Sequence, residues 1–177
     1  CTFMRCKFTL LLMIFETERL QVRKLILEDL YSFHKMQSNP NVMRYADGEV
    51  NTLAAHSIEL STLISNYSLP ENDFWIYAIE RKEDRFFVGT LALVKDGDDD
   101  EIGLRFLEEY WSLGYGTEVC HRLLEYCKQI GIQKIVASAV DLNSASSKIL
   151  TRLGFMQVRK FINQEMQLLE TKYKLYL

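Results

Sequence analysis

The stretch EIGLRFLEEYWSLGYGTEVCHRLLEYCKQIGIQKIVASAV, from Glu101 to Val140, constrains the fold more than any other part of the chain. EIGLRFLEEYW reads as a strand running up to a glycine-rich turn. From Gly116 to Ile130 the apolar residues Val119, Leu123, Leu124, Cys127 and Ile130 then recur at helical spacing. Gly131 is a natural helix stop, and KIVASAV follows as a short apolar strand. A strand, a crossover helix and a second strand in succession place the two strands parallel.

The flanking segments add hairpins and helices. RLQVRKL around Val22 alternates like a strand. Leu27, Leu30, Phe33 and Met36 have the spacing of an amphipathic helix, which Pro40 is expected to close. Residues Thr52 to Tyr67 form another helical stretch, ended by Pro70. DFWIYAIER and RFFVGTLALVK are rich in aromatic and β-branched residues and read as paired strands joined at KEDR. KDGDDDE is a further turn. NSASSKILTRLGF reads as a helix stopped by Gly154, and strands near Met156–Phe161 and Leu169–Leu177 finish the chain. This order predicts an α/β sandwich with a mixed, mostly antiparallel sheet, rather than a doubly wound nucleotide fold.

At 177 residues, one compact domain with a substantial core is expected. A net charge of −3 argues against a nucleic-acid partner, which needs clustered Lys and Arg. No apolar run approaches the roughly 20 residues of a membrane span. The opening CTFMRCKFTLLLMIF superficially resembles a secretory signal, but no small-residue cleavage site follows. Residues 1–12 therefore read as an upstream extension, and 13–177 as the domain. The cysteines Cys1, Cys6, Cys120 and Cys127 form no close CxxC pair, so neither a zinc site nor a redox motif is suggested, and a reducing cytoplasm fits. Cys120 and Cys127 share one helix face as small core residues. His34, His56 and His121 lack a ligand-like arrangement, and no metal is expected.

Gly114 and Gly116 stand one residue apart at a helix start, in a chain with only 8 Gly. Glycine there allows a ligand to approach the main chain closely. A helix N-terminus has unpartnered N–H groups and about half a positive charge, so a phosphate is the natural ligand. The dinucleotide pattern GxGxxG fails at Thr117-Glu118-Val119, and no Gly-Lys-Ser/Thr of a P-loop follows. A plain tight turn is the competing reading.

The wider context narrows the choice. WSLGYGTE ahead of an amphipathic helix, then a strand, then NSAS…LGF, resembles the GNAT superfamily of acetyl-CoA-dependent N-acetyltransferases. More closely it is similar to the ribosomal-protein N-terminal acetyltransferase (Rim-type) branch. The resemblance extends to MIFETERLQVR, FVGTLAL and EIGLRFLEEYWSLGYGTE, and so covers nearly the whole chain from Met13. It implies a sheet splayed at the cofactor strand, acetyl-CoA as co-substrate, and direct attack by an amine in a ternary complex.

By that resemblance, Trp111, Ser112, Leu113, Gly114, Tyr115, Gly116 and Thr117 hold the CoA pyrophosphate. Phe106, Leu107 and Glu108 pair their backbone with the pantetheine arm. Asn143 and Lys148 contact CoA, and Ser146 lies near the thioester sulfur. The simpler readings are a packed Trp111, an N-capping Asn143 and a solvated Lys148. Where many members carry a Tyr as the acid for the leaving thiolate, this chain has Leu150, which leaves Ser146 as the substitute. Glu101 is the best-placed carboxylate to deprotonate the amine, and a solvated strand-end charge is the alternative. The acceptor is a protein N-terminus or a small amine such as a polyamine or aminoglycoside, and the enzyme is a monomer or homodimer. An acyl-CoA sensor with little turnover is the competing class.

Overall fold

One mixed sheet collects the strands. The computed structural model describes residues 13–46 and 50–177; the extension expected over residues 1–12, with Cys1 and Cys6, lies outside them. The strands are Met13–Glu16 (β1), Leu20–Lys24 (β2), Phe74–Arg81 (β3), Phe86–Asp96 (β4), Asp99–Phe106 (β5), Lys134–Val140 (β6), Met156–Asn163 (β7) and Leu168–Tyr176 (β8). The helices are Leu30–Gln37 (α1), Pro40–Met43 (α2), Leu53–Asn66 (α3), Tyr115–Gln129 (α4) and Ser144–Arg152 (α5). The sheet order is β1-β2-β3-β4-β5-β6-β8-β7. Neighbouring strands are antiparallel except β5 and β6, which are parallel as the intervening helix requires.

Helices cover both faces. On one, Val119, Leu123 and Cys127 of α4 and Leu150 of α5 pack against Val22, Ile79, Leu91, Ile102 and Ile135. On the other, Phe33 and Met36 of α1 and Leu60 and Leu63 of α3 cover Ala78, Phe87 and Leu107. Each such Leu, Phe or Met contributes about 1.5–3 kcal/mol by leaving water. Cys120 and Cys127 are buried as their shared face predicts, and burial pushes both thiols up to about 12.

A buried ionic cluster ties the second helical layer to the sheet. Arg23 donates from Nη1 and Nη2 to Asp29, both at 2.8 Å, and from Nε to Glu80 at 2.6 Å. Burial alone lowers the Arg23 pKa, but the hydrogen bonds and charges of Asp29 and Glu80 outweigh it and leave it raised. Gln21 and Arg85 complete the shell around Glu80.

Two local expectations are corrected. Pro40 opens α2 instead of closing α1, which ends at Gln37. Its missing N–H is harmless at a first helical position, and Asn39 Oδ1 accepts the Asn41 N–H as the cap. The strand expected to run to Trp111 stops at Phe106. Leu107 donates its N–H to Val88 O at 2.9 Å, then a 3-10 turn at Glu108–Tyr110 bends the chain away.

Candidate active site

β5 and β6 part company early. They pair at Asp100 opposite Ile135 and at Glu101 opposite Val136, whereas β5 stays paired with β4 through Phe106. Beyond Glu101 a gap opens between the two parallel strands. The Leu107 bond to Val88 shows which way the ladder alternates: Arg105 and Leu107 direct their main-chain groups to β4, so Leu104 and Phe106 direct theirs into the gap. An extended, amide-bearing arm laid there completes the ladder as an added strand does.

The three residues expected along the pantetheine arm differ in what is left open. The Phe106 carbonyl accepts the Trp111 indole Nε1–H at 3.0 Å. Leu107 is buried, with its N–H given to Val88 and its carbonyl accepting the Tyr110 N–H. Glu108 lies past the strand end. Its carboxylate accepts from Asn39 at 2.8 Å and Asn41 at 2.9 Å, fastening the entry to α2.

The glycine turn lies at the open end of the gap. Trp111, Ser112, Leu113 and Gly114 are exposed, Gly116 and Thr117 are half-buried, and Tyr115 is buried. Ser112 at φ 62° and Gly114 at φ 82° both adopt left-handed backbone. Gly114 caps α4, and among the described residues no side chain accepts from the first helical N–H groups. Those amides, with the positive end of a 15-residue helix behind them, suit a diphosphate. At Gly116 the packing also bears on the choice of glycine. A Cβ there would stand 3.0 Å from Ile149 Cδ1 and 3.8 Å from Phe106 Cε2. The glycine therefore lets α4, α5 and the end of β5 meet.

Glu101 occupies the point where the strands diverge, opposite Val94 and Val136, and is half-buried. The neighbouring acids are structural: Asp100 pairs with Lys95 at 2.7 Å, while Asp99 pairs with Lys134 and Asp96 with Lys172. Asn143 is the N-cap of α5, its Oδ1 accepting the Ser146 N–H at 3.2 Å. Ser146 is half-buried and Lys148 exposed. Leu150 is 5% exposed and belongs to the core, so apolar packing has taken the position where a hydroxyl acid was sought.

Three groups of polar side chains have no counterpart in the sequence reading. Glu118 accepts from Thr17 Oγ1 at 2.5 Å, from the Arg19 N–H at 2.9 Å and from Arg19 Nε at 2.7 Å. Burial opposes its ionisation, but these donors outweigh it and hold the carboxyl below its ordinary value. On the α1–α3 side, Arg105 donates to Gln37, which donates to Glu59 at 3.3 Å. His34 and His56 meet Nδ1 to Nδ1 at 2.7 Å, joining α1 to α3. All three span more than 20 residues of chain, so no local spacing signals them. The motifs FETERL and GYGTE held the first group's residues, without their contact.

A mixed sheet parted beside an uncapped helix start can receive an extended, amide-bearing arm that ends in a diphosphate. The chain matches the acetyltransferase (GNAT) domain over residues 19–156 and belongs to that family. It is an acetyltransferase, with acetyl-CoA as its co-substrate. Among curated proteins it is similar to the uncharacterized N-acetyltransferase YoaA of Bacillus subtilis (strain 168), at 28% identity over 149 residues, 81% of this chain and 83% of that protein. Its fold matches a GNAT-family acetyltransferase from Bacillus anthracis with a TM-score of 0.80 and 21% identity, covering 91% of this chain and 96% of that one. It also matches RimL, a ribosomal L7/L12 α-N-protein acetyltransferase solved with coenzyme A. That match has a TM-score of 0.81 and 14% identity, and covers 93% of this chain and 98% of RimL.

Proposed function

We propose that this acetyltransferase acts on the α-amine of a protein N-terminus. The observation that carries the site assignment is the gap between β5 and β6, with the uncapped start of α4 at its open end and Glu101 at its apex. The protein acceptor is supported by the likeness to RimL, whose own acceptor is a protein α-amine.

In this reading the first amides of α4, at Tyr115, Gly116 and Thr117, bind the diphosphate, and the gap-facing groups of Leu104 and Phe106 align the arm. Acetyl-CoA supplies the activated acetyl group. An ammonium has no lone pair to attack with, so its proton must leave first. Glu101 takes that proton, directly or through one water. The amine nitrogen then bonds to the thioester carbon, the carbon–sulfur bond breaks, and the nitrogen's second proton passes, through water, to the departing sulfur as the amide and free CoA thiol form. Ser146 Oγ donates a hydrogen bond to the departing thiolate, enough for a leaving group whose thiol pKa is about 8.5.

A second reading, an acyl-CoA sensor with little turnover, draws on Leu150, which leaves α5 without the usual acid. Thiol release from acetyl-CoA, measured across peptides with free N-termini, N-blocked peptides and small amines, tests both. Release that requires a free peptide N-terminus is the expected result. Release with small amines alone moves the acceptor to that class, and CoA binding without release for any amine favours the sensor.

A further inference from the structure

We infer that Arg19 is the positioning residue of the anion turn, holding it in the shape that receives the diphosphate of acetyl-CoA. The inference rests on the reading of that turn as the cofactor site. Leu113 is flanked by two left-handed residues, Ser112 at φ 62° and Gly114 at φ 82°. A serine in that conformation is strained and persists only where its surroundings enforce it. The enforcing contact is Arg19 Nη1, which donates to Leu113 O at 3.1 Å. This bond draws the carbonyl of Leu113, between the strained Ser112 and the left-handed Gly114, toward Arg19 and away from an anion that the same turn must bind through its N–H groups.

Arg19 is itself aimed by its neighbours. Its Nε and Nη2 both reach Glu118 Oε2 at 2.7 Å, and Thr17 steadies the other oxygen of the same carboxylate. Its guanidinium lies 4.7 Å from the centre of the Tyr115 ring, and Tyr115 stacks on Tyr110, beneath Arg81. The planar fork therefore grips Leu113 O and Glu118 together, a geometry that a lysine ammonium cannot reproduce. The same grip neutralises Glu118, the acid in the first turn of α4, which would otherwise repel a phosphate. Arg19 reaches the turn from the segment between β1 and β2, 94 residues away from Leu113.

The test uses CoA titration calorimetry, initial rates with acetyl-CoA and thermal melting on four proteins: wild type, Arg19→Ala, Arg19→Lys and Arg19→Ala with Ser112→Gly. Arg19 is 46% exposed in its side chain, so its replacements are expected to fold, which the melting curves check. Arg19→Ala is expected to raise the CoA Kd and the acetyl-CoA KM by about 10-fold or more, as a strained turn relaxes, with kcat within about 3-fold of wild type. Arg19→Lys is expected to recover little of this, because charge alone does not hold Leu113 O. Ser112→Gly is expected to restore much of the binding in the Arg19→Ala background, because glycine removes the left-handed penalty. Wild-type affinity in Arg19→Ala overturns the inference, as does full recovery by lysine or absence of rescue by Ser112→Gly. CoA that fails to bind the wild-type protein overturns the cofactor reading of the turn instead.

Discussion

Gly114→Ala separates the backbone geometry of the anion turn from its side-chain contacts. Gly114 is held at φ 82°, ψ 0°. A Cβ built there finds Arg19 Nη2 at 3.5 Å, ordinary van der Waals contact, so nothing collides. The cost is conformational, about 1–2 kcal/mol for an L-residue in left-handed backbone, and it must surface in one of two measurements. If the substituted alanine keeps the left-handed shape, free and CoA-bound protein carry the strain equally. The Kd is then unchanged, and Tm falls by roughly 2–8 °C for a chain of this size. If the turn relaxes to negative φ, stability is spared and the strain is met only on binding, so CoA affinity falls by about 5–30-fold. Scanning and titration calorimetry on one sample read both quantities. A variant with wild-type Tm and wild-type Kd refutes the reasoning. Gly116→Ala is the control: its backbone is not left-handed, and its Cβ presses on the tip of Ile149 at 3.0 Å and touches Phe106 at 3.8 Å, so its effect on Kd is expected to be the smaller of the two.

Four further outcomes follow from the same structure. Arg23→Met strands Asp29 and leaves Glu80 with Arg85 as its remaining cation, at carboxylates whose side chains are 5% and 4% exposed. Breaking a buried pair costs about 3–5 kcal/mol, so Tm is expected to drop by roughly 6–20 °C, and a drop of under about 2 °C counts against the cluster's role. His56 has its pKa lowered below the ordinary 6.5 by burial and by the charge of His34. The unfolded chain therefore takes up the proton more readily, and the stability held by neutral His56 is present above that ordinary value and lost as pH falls below it. Wild-type Tm is expected to fall more steeply than that of His56→Gln between about pH 7 and pH 5; equal slopes reject the assignment. Glu101→Gln is expected to lower kcat/KM most near neutrality and least at high pH, where the amine is already unprotonated. A pH–rate profile superimposable on the wild type makes Glu101 a surface charge. Ser146→Ala is expected to lower kcat by about 10–100-fold with CoA affinity unchanged, and wild-type kcat removes its hydroxyl from the reaction.

The elements legible in the sequence are those whose burial follows a single period. Val119, Leu123 and Cys127 recur on one face of α4 and are all fully buried, so the helix and its register were readable before any contact was known. Ile130 continued the same spacing yet is 49% exposed, because α4 ends at Gln129. β1 went unread because its four residues are too short to establish alternation. Pro40 was ambiguous for a physical reason: a missing N–H suits the position after a helix and the first position within one. The end of β5 was misplaced because Leu107 is as apolar as a strand residue, while its burial comes from the α1–α3 side of the sheet.

The site divides the same way. Gly114, Tyr115 and Gly116 could be read as an anion turn because cap and helix start are adjacent in the chain. Glu118 pointed the other way, since an acid in the first turn of α4 repels a phosphate if its charge stands alone. In the folded protein it does not stand alone: Thr17 and Arg19 surround its carboxylate, and Arg19 brings the compensating charge against the turn. The local field at the helix start is thus set by a contact between residues about a hundred positions apart, as the 99-residue separation of Arg19 and Glu118 shows. A charge count within the motif has the wrong sign for the ligand, and only the tertiary pairing corrects it. The same holds for the acidic run at Asp96–Asp100, whose excess of carboxylates is answered by Lys95, Lys134 and Lys172 within or beside the sheet. Glu101 is left at the apex of the gap as the half-buried carboxylate of that run without such a cation among the described residues. That difference from Asp96, Asp99 and Asp100, more than its place in any motif, is what supports the proposal that it takes the amine's proton.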